Sequence, residues 1–297
     1  MRTSSDVQTQ IVSVERINEY ASLPPEPQTD AAAGEPVAVG DAWPAAGALS
    51  VRDLGLVYRP NTPAALTGFS LEVPAGTRLG ICGRTGAGKS SLLAALFRTA
   101  DLQSGAVEID GVDVKRVPLA VLRRRLTFIP QDALLFQGTV RRNLDVLGEH
   151  ADAALWRALE AVGMAEAVRR LGGGGGGGGD GLTAEVAEGG TNFSAGERQL
   201  LTIARALLRR SKLVVLDEAT ASTDSTTDAA VQRALREAFA GSTTLTVAHR
   251  LNTVIDSDII AVLGGGRLLE AGPPGELLRR PGGAFAALVA ESQAGGV

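Results

Sequence analysis

The sequence has little of several features that define common protein classes. It contains one cysteine, Cys82, and two histidines in 297 residues, so an internal disulfide and a cluster of Cys and His zinc ligands are excluded. Its 29 Lys and Arg residues nearly balance 33 Asp and Glu residues, and the net charge of −4 argues against a general nucleic-acid binder. No run approaches the roughly 18 consecutive apolar residues that a membrane-spanning helix needs.

The N-terminal part of the chain divides into two segments of different character. Residues 9–20 carry Ile11, Val14 and Ile17 at helical spacing, which predicts a short amphipathic helix. Residues 21–48 are rich in proline and predict an extended linker that cannot hold a helix. We therefore expect the globular part to begin near Leu49.

The rest of the chain, in which apolar runs alternate with helical patterns, predicts a mainly parallel α/β sheet. Short apolar alternations predict antiparallel strands at 49–58, 69–73 and 106–110. Apolar runs predict buried strands at 78–82, 213–216, 244–248 and 259–263, and helical patterns lie at 90–98 and 228–240. Eight consecutive glycines, Gly172 to Gly179, predict a flexible surface loop. Arg123 to Arg125 are interpreted as a solvated helix face, with contact to an acidic partner as the alternative. Cys82 is interpreted as a small core residue.

A glycine-rich segment follows the predicted strand at 78–82 and opens a predicted helix. It fits the pattern G-x-x-x-x-G-K-[ST] through Gly83, Arg84, Thr85, Gly86, Ala87, Gly88, Lys89 and Ser90. Glycines let successive backbone N–H groups point at anionic oxygens, and the helix N-terminus adds the positive end of its dipole. We expect Lys89 to reach the β and γ phosphates of a nucleotide, and the Ser90 hydroxyl to ligate Mg²⁺.

A second apolar strand ends in two carboxylates, Asp217 and Glu218. Because the carboxyl ends of parallel strands share one edge of the sheet, these acids are expected beside the bound phosphates. Asp217 would hold Mg²⁺, and Glu218 would polarise the attacking water in an in-line hydrolysis. The two motifs together predict a nucleotide hydrolase.

Further motifs carry a resemblance to a known family. The segment Asn192 to Gln199 (NFSAGERQ) resembles the signature motif of ABC-type ATPases, and the remaining family marks are in order. They are Tyr58 for the adenine, the Q-loop Gln131, the D-loop 221–224 and the switch histidine His249. The stretches SVERINEY, GRTGAGKSSLLAALFR, LFQGTVRRNLD and AHRLNT are similar to the second nucleotide-binding domain of subfamily C, the multidrug-resistance-associated type. Glu218 and the non-glycine Ala195 in the signature favour the second domain over the first.

The resemblance implies a P-loop NTPase fold, an α/β protein with a RecA-like parallel sheet core, an N-terminal antiparallel β subdomain and an inserted helical subdomain. The implied ABC-type ATP-binding domain spans 49–290, with the helical subdomain at about 132–196 and the glycine-run loop at 172–179. Residues 1–20 resemble the end of a transmembrane-domain helix extension, 21–48 the linker that follows it, and 291–297 a tail.

For function, the resemblance implies transport-coupled ATP hydrolysis at the cytoplasmic face of a membrane. The implied partners are a second nucleotide-binding domain, bound head to tail, and the transmembrane domains of an exporter; no nucleic acid is expected. Lys89, Glu218 and His249 would be catalytic, and Ser90, Gln131 and Asp217 would hold Mg²⁺. ATP would contact Tyr58, residues 83–90, Ser91 and Gln131, whereas Ser194 and Gly196 would close over the ATP of the partner domain.

Three departures from the family pattern and two alternatives bear on this interpretation. Thr223 replaces a usual small apolar residue in the D-loop, a change that is expected to be tolerated. Glu197 stands where the family usually has Gln, and places a negative charge near a triphosphate; the glycine run could loosen coupling to the membrane domains. One alternative is a truncated or stand-alone ABC ATPase without transport activity. The other is a soluble ABC protein acting on ribosomes or DNA, although the chain has one cassette, no heptads and a net charge of −4.

Overall fold

The computed structural model describes residues 2–23, 25–30, 34–59, 61–172, 180–217, 225–248 and 251–294. The chain begins with helix α1 (Arg2–Ala21), which confirms the predicted amphipathic helix and starts earlier than expected. Its apolar residues Ile11, Val14 and Ile17 are 51–68% exposed. In the described part of the chain, no helix combines the length and apolar character needed to cross a membrane.

The proline-rich segment 21–48 holds no helix beyond Ala21 in its described residues, but it lies against the domain. The backbone N–H of Val37 donates to the carbonyl of Arg116, and the N–H of Leu119 donates to the carbonyl of Gln28. Trp43 is 9% exposed, and its indole Nε1 donates to the carbonyl of Ile109 at 3.2 Å. Packed structure therefore starts ahead of Leu49, and the buried indole of Trp43 anchors the end of the segment.

The antiparallel strands form a four-stranded sheet in the order β2-β1-β4-β5. Leu49 on the central strand pairs with Val73 on one side and with Ile109 on the other. This sheet confirms the predicted N-terminal antiparallel β subdomain. Its strands are β1 (Leu49–Leu56), β2 (Leu66–Val73), β4 (Leu102–Ile109) and β5 (Val112–Asp113).

The central sheet has six strands in the order β12-β11-β3-β10-β9-β6, and only β12 runs antiparallel to its neighbour. The predicted mainly parallel α/β sheet is therefore confirmed. Its strands are β3 (Arg78–Cys82), β6 (Leu126–Ile129), β9 (Leu213–Asp217), β10 (Thr243–Val247), β11 (Ile259–Gly264) and β12 (Arg267–Gly272).

Helices cover the central sheet with their apolar faces. In α8, the predicted stripe of Val231 and Leu235, with Phe239 just beyond the helix, is at most 7% exposed. Cys82 at the end of β3 is 1% exposed, which confirms it as a core residue, and burial raises the pKa of its thiol to about 11. The helices are α2 (Lys89–Leu96), α3 (Leu119–Arg125), α8 (Ser225–Ala238), α9 (Pro274–Leu277) and α10 (Ala284–Ala294).

The predicted helical subdomain is a group of helices between β6 and β9, built around a second buried cluster that includes Leu155, Leu159 and Val168. Gly172 ends α6, and the rest of the predicted glycine loop, 173–179, lies outside the described residues. Its elements are β7 (Gly138–Thr139), α4 (Val140–Leu144), α5 (Asp152–Ala161), α6 (Ala165–Gly172), β8 (Glu185–Val186) and α7 (Ala195–Leu208).

The interpretation of Arg123 to Arg125 as a solvated helix face holds for Arg124, which is exposed, but Arg123 and Arg125 are half-buried, and all three have acidic partners. Arg123 donates to Glu26 Oε1 at 2.6 Å and to the carbonyl of Phe97 at 3.0 Å. Arg124 pairs with Glu149, and Arg125 lies 3.3 Å from Asp41. The three guanidinium groups end the last turn of α3, where they connect the helix to the linker and to the helical subdomain.

Candidate functional site

The glycine-rich loop connects the end of β3 at Cys82 to the start of α2 at Lys89. Three of its glycines have positive φ: Gly83 at 150°, Gly86 at 78° and Gly88 at 104°. A Cβ on Gly88 would come within 2.8 Å of the carbonyl oxygen of Ala65, so only glycine fits there. A Cβ on Gly86 would meet no atom within 4 Å, so the loop backbone lies open to an incoming ligand.

Lys89 lies beneath this loop and is 5% exposed. Its Nζ donates to the carbonyl of Gly83 at 2.7 Å and to the carbonyl of Arg84 at 3.3 Å. The ammonium is thus fixed by two carbonyls of the loop whose N–H groups are expected to bind phosphate. Because the ammonium is already fixed in position, binding of an anion to it costs little additional conformational entropy.

Arg84 and Tyr58 lie on the rim of the loop. The Arg84 guanidinium, 78% exposed, lies 3.1 Å from the Glu291 carboxylate on α10, so Arg84 presents its backbone rather than its charge to the loop. The Tyr58 side chain is 57% exposed, and its hydroxyl donates to Ser91 Oγ at 3.2 Å. This hydrogen bond places the predicted adenine residue at the first turn of α2, and nothing in the sequence indicated it.

The remaining described candidates lie at the same edge of the central sheet. Asp217, the last residue of β9, is opposite Val247 of β10, which in turn pairs with Ile81 just before the loop. Ile129 of β6 pairs with Leu216, so Gln131, two residues further on, follows the same edge. The register therefore brings Asp217 and Gln131 together with the glycine loop, as parallel strands require.

Some predicted site residues lie outside the described residues. They are Glu218, His249 and the D-loop 221–224, and their roles stay predictions.

The signature segment begins α7, and Ser194 is its N-cap residue. Glu197 Oε2 accepts from both the backbone N–H and the Oγ of Ser194 at 2.8 Å, while Glu197 N–H donates to Ser194 Oγ at 3.2 Å. This is a reciprocal capping box, for which S-x-x-E is the sequence signal. Sequence reasoning treated Glu197 only as a charge near a phosphate. It missed that the carboxylate occupies the amide and hydroxyl of the expected anion site, whereas Gly196 is buried in the helix.

The donors at the sheet edge suit a triphosphate and a magnesium ion. Ser90 offers a hydroxyl, Asp217 a carboxylate and Gln131 an amide oxygen, which are the hard oxygen ligands that Mg²⁺ prefers. Within the described ranges, no group of three or more Cys, His, Asp and Glu side chains forms a metal cluster of its own. A divalent ion held by these three oxygen donors would share its coordination with phosphate oxygens, as magnesium does in nucleotide sites.

Comparisons with known proteins agree with this geometry. A family model described as "ABC transporter" matches residues 66–221. The chain is 42% identical over 289 residues to ABC transporter C family member 3 of Arabidopsis thaliana, covering 97% of this chain and 18% of that protein. It is 44% identical over 295 residues to ATP-binding cassette sub-family C member 10 of Mus musculus, covering 98% of this chain and 19% of that protein.

A third relative, a metal resistance protein of Saccharomyces cerevisiae, is 44% identical over 278 residues, which cover 94% of this chain and 18% of that protein. Among solved structures, a bacterial Atm1-family ABC exporter with ATP bound superposes with a TM-score of 0.82 at 32% identity. That match covers 98% of this chain and 48% of the exporter chain. The chain thus spans less than a fifth of the length of these curated relatives.

Proposed function

The chain belongs to the ABC transporter family, as an ATPase domain similar to subfamily C members, and from this we propose that it couples ATP hydrolysis to export across a membrane. The observation that carries the proposal is the meeting of three parts at one sheet edge. These are the open glycine loop with Lys89 beneath it, Asp217 at the end of β9, and Gln131 beyond β6.

We assign ATP binding to the loop 83–90, with Ser91 in the first turn of α2. The loop N–H groups and the N-terminus of α2 would neutralise phosphate oxygens, and Lys89 would exchange its two loop carbonyls for the β and γ phosphates. The exposed ring of Tyr58 would stack on adenine. Ser90, Gln131 and Asp217 would hold Mg²⁺, which, when bound, supplies positive charge to the phosphate oxygens.

In the proposed hydrolysis, Glu218 orients and polarises the attacking water, and His249 positions the same water near the γ phosphate. Lys89 and the loop amides stabilise the charge that develops on the transferred phosphoryl group. Little covalent chemistry is required of the protein, so the rate depends on how well these groups are positioned.

We further propose that two such domains bind head to tail, so that Ser194 and Gly196 of one close over the ATP of the other. Support comes from the position of Ser194 at the N-terminus of the 14-residue helix α7, where N–H groups and the helix dipole favour an anion. Glu197 must release Ser194 before the serine can meet a phosphate, because both Ser194 donors are bonded to its carboxylate.

The membrane part of the proposal rests on the relatives, which are named as transporters and are about five times longer than this chain. The transmembrane domains of an exporter would be the partner, and the domain would act on the cytoplasmic face. We propose the division predicted from the sequence: 1–20 as a helix extension from the membrane domain, 21–48 as linker, and 49–290 as the ATP-binding domain. The exposed Ile11, Val14 and Ile17 would then pack on the membrane domain.

Replacement of the proposed base tests the hydrolytic part. Glu218→Gln keeps the shape of the side chain but removes its ability to polarise water, so we expect phosphate release to be lost while ATP still binds. Glu237→Gln on α8, an exposed residue at the far end of that helix, is the matched control and should hydrolyse ATP at the unchanged rate. If Glu218→Gln turns over near the unsubstituted rate, the assigned base is wrong.

Coupling to a membrane is tested by the location of the native protein. An antibody against a surface peptide of this domain should detect a band confined to carbonate-washed membranes. A band found only in the cytosol would contradict coupling to export, even if the chain hydrolyses ATP.

A further inference from the structure

A cavity lies at the opposite end of the central sheet from the glycine loop. Its volume is about 610 Å³, within the range of about 300–1,000 Å³ usual for small-molecule sites. Ser211 and Lys212, which line it, immediately precede β9, whereas Asp217 ends that strand at the ATP edge. The cavity is bounded by the linker at Trp43, by the end of α4 and by the last turn of α7.

Positive charge dominates the lining although the chain as a whole is acidic. Three carboxylates also line the cavity. Glu149 pairs with Arg124, and Asp41 lies 3.3 Å from Arg125, whereas Asp145 is bonded to backbone N–H groups and keeps its negative charge. The Asp145 carboxylate accepts from the backbone N–H groups of Glu149 and His150 at 3.1 and 2.7 Å. The lining cations are Arg124, Arg125, Arg205, Arg209, Arg210 and Lys212.

Four of these cations have no carboxylate partner within the described part of the chain. Arg205 donates from Nε to the carbonyl of Asn143 at 2.6 Å, and Arg209 donates from Nη2 to the carbonyl of Arg123 at 2.8 Å. Carbonyl partners fix the position of these guanidinium groups without neutralising their charge. Burial lowers the pKa of Arg205; burial and then the charge of Arg124 lower that of Arg209. Arg210 and Lys212 are exposed and form no side-chain hydrogen bond or ion pair in the described structure.

The backbone at Arg210 adds an independent observation. Its φ is +50°, a left-handed conformation at the end of α7 where glycine is normally preferred. An arginine held there at a conformational cost presents one more cation to the cavity. Apolar side chains also line the cavity, among them Trp43, Pro44, Leu144 and Leu208, and we refer to these four as the apolar wall.

We propose that this cavity binds a phosphate monoester with an apolar body. Four cations without carboxylate partners outweigh the single charge of Asp145 and suit a dianion, and guanidinium groups bind phosphate oxygens in a forked geometry. The indole and aliphatic wall would hold an aryl or alkyl group of the ester. The site is separate from the ATP edge, and the proposal does not rest on ATP turnover.

The experiment measures binding of phenyl phosphate in a Trp156→Phe background, where Trp43 is the remaining tryptophan and its fluorescence reports the cavity. Calorimetry gives an independent affinity. We expect phenyl phosphate to bind at least about tenfold more tightly than inorganic phosphate or benzyl alcohol, which each lack one half of the ligand. Equal affinity for inorganic phosphate would overturn the role of the apolar wall, and equal affinity for benzyl alcohol that of the cations.

The variants distinguish this cavity from the glycine loop, which also attracts phosphate. Arg210→Gln with Lys212→Gln removes two cations that hold no other element, and should weaken binding about tenfold. Arg157→Gln with Arg233→Gln, two exposed arginines elsewhere, removes the same charge and should leave binding unchanged. Lys89→Ala should also leave it unchanged.

The proposal is overturned if Lys89→Ala abolishes binding or if the cavity variant binds as tightly as the unsubstituted chain. In that case the arginines would serve only to neutralise the carboxyl end of α7. Thermal unfolding of each variant verifies that it is folded before binding is compared.

Discussion

Replacing Glu197 with glutamine should strengthen ATP-dependent association of two copies of this domain. In the free chain, Glu197 Oε2 accepts from Ser194 N–H and Oγ at 2.8 Å, so the serine is bound within its own helix end. A phosphate arriving from a second copy must displace this carboxylate. Glutamine preserves the capping box but offers a neutral acceptor, and it removes a negative charge from the path of the triphosphate.

The magnitude follows from the two hydrogen bonds. Bonds to a charged acceptor contribute about 1.5–3 kcal/mol and neutral ones about 0.5–1.5 kcal/mol, so each bond weakens by about 1 kcal/mol in the variant. Because Glu197 is partly exposed to solvent, we discount the sum for two bonds to about 1.4 kcal/mol at each Ser194. A head-to-tail dimer releases two such serines, so the association constant should rise about a hundredfold. The same weakened bonds should lower the free energy of unfolding of each domain by about 1.4 kcal/mol.

The assay is sedimentation of the domain with ATP and Mg²⁺ in a Glu218→Gln background, which is expected to stop turnover. Glu197→Gln should lower the concentration at which dimers form about a hundredfold and lower Tm by about 3–5 °C. Glu185→Gln, which removes the same charge from an exposed residue of β8, is the matched control. The reasoning is refuted if the two variants dimerise equally, or if Glu197→Gln dimerises less than its parent.

Three further predictions address the loop, the core and the linker. Gly88→Ala should reduce ATP affinity, measured by calorimetry, at least about a hundredfold. The added Cβ would lie 2.8 Å from the Ala65 carbonyl oxygen, and the φ of 104° is unfavourable for alanine. Unchanged affinity would contradict the loop geometry. Because the pKa of the Cys82 thiol is raised to about 11, only about a thousandth of it should be thiolate at pH 8. Cys82 should therefore resist alkylation until the domain unfolds, as measured by mass spectrometry. Rapid labelling of the native protein would refute its burial. Burial would raise the pKa of Asp110, but backbone N–H donors from Ala46, Gly47, Ala48 and Ala45 lower it overall. The folded pKa therefore lies below the ordinary 3.8, so this stabilisation is present above about pH 5 and is lost as the pH falls through the folded value. Asp110→Asn should reduce the free energy of unfolding at pH 7, measured by urea titration, by roughly 2 kcal/mol. The variant should also lose less stability than the unsubstituted chain as the pH falls. An equal loss of stability at acid pH in both chains would contradict this assignment.

The sequence was sufficient for the sheet architecture because its periodicities are strong and local. The apolar run at Leu213–Asp217 and the alternation at Leu49–Leu56 each predicted the observed strand type. Interactions between distant segments could not be predicted in this way. Trp43 lies in a proline-rich stretch, and only the folded chain brings its indole to Ile109, 66 residues away in sequence. The arginines of α3 likewise form ion pairs with carboxylates of the linker and the helical subdomain.

In the candidate site, too, local patterns could be predicted from the sequence, whereas contacts between distant residues could not. Spacing identified the glycine loop because its mechanism needs those residue types in that order, and the positive φ of Gly83, Gly86 and Gly88 agrees with it. The contact between Tyr58 and Ser91 joins residues 33 apart, and no local pattern encodes it. The hydrogen bonds between Ser194 and Glu197 could have been predicted, because the local capping-box pattern S-x-x-E is present in the sequence. The sequence analysis considered only the charge of Glu197.

The most direct test of the account is an experimental structure of the Glu218→Gln variant with ATP and Mg²⁺. We expect two copies in a head-to-tail arrangement. The phosphates of each ATP should lie on the N–H groups of 83–90, its adenine on Tyr58, and Ser194 of the other copy on its γ phosphate, released from Glu197. A nucleotide bound away from the glycine loop, or a closed dimer in which Ser194 remains bonded to Glu197, would contradict the account.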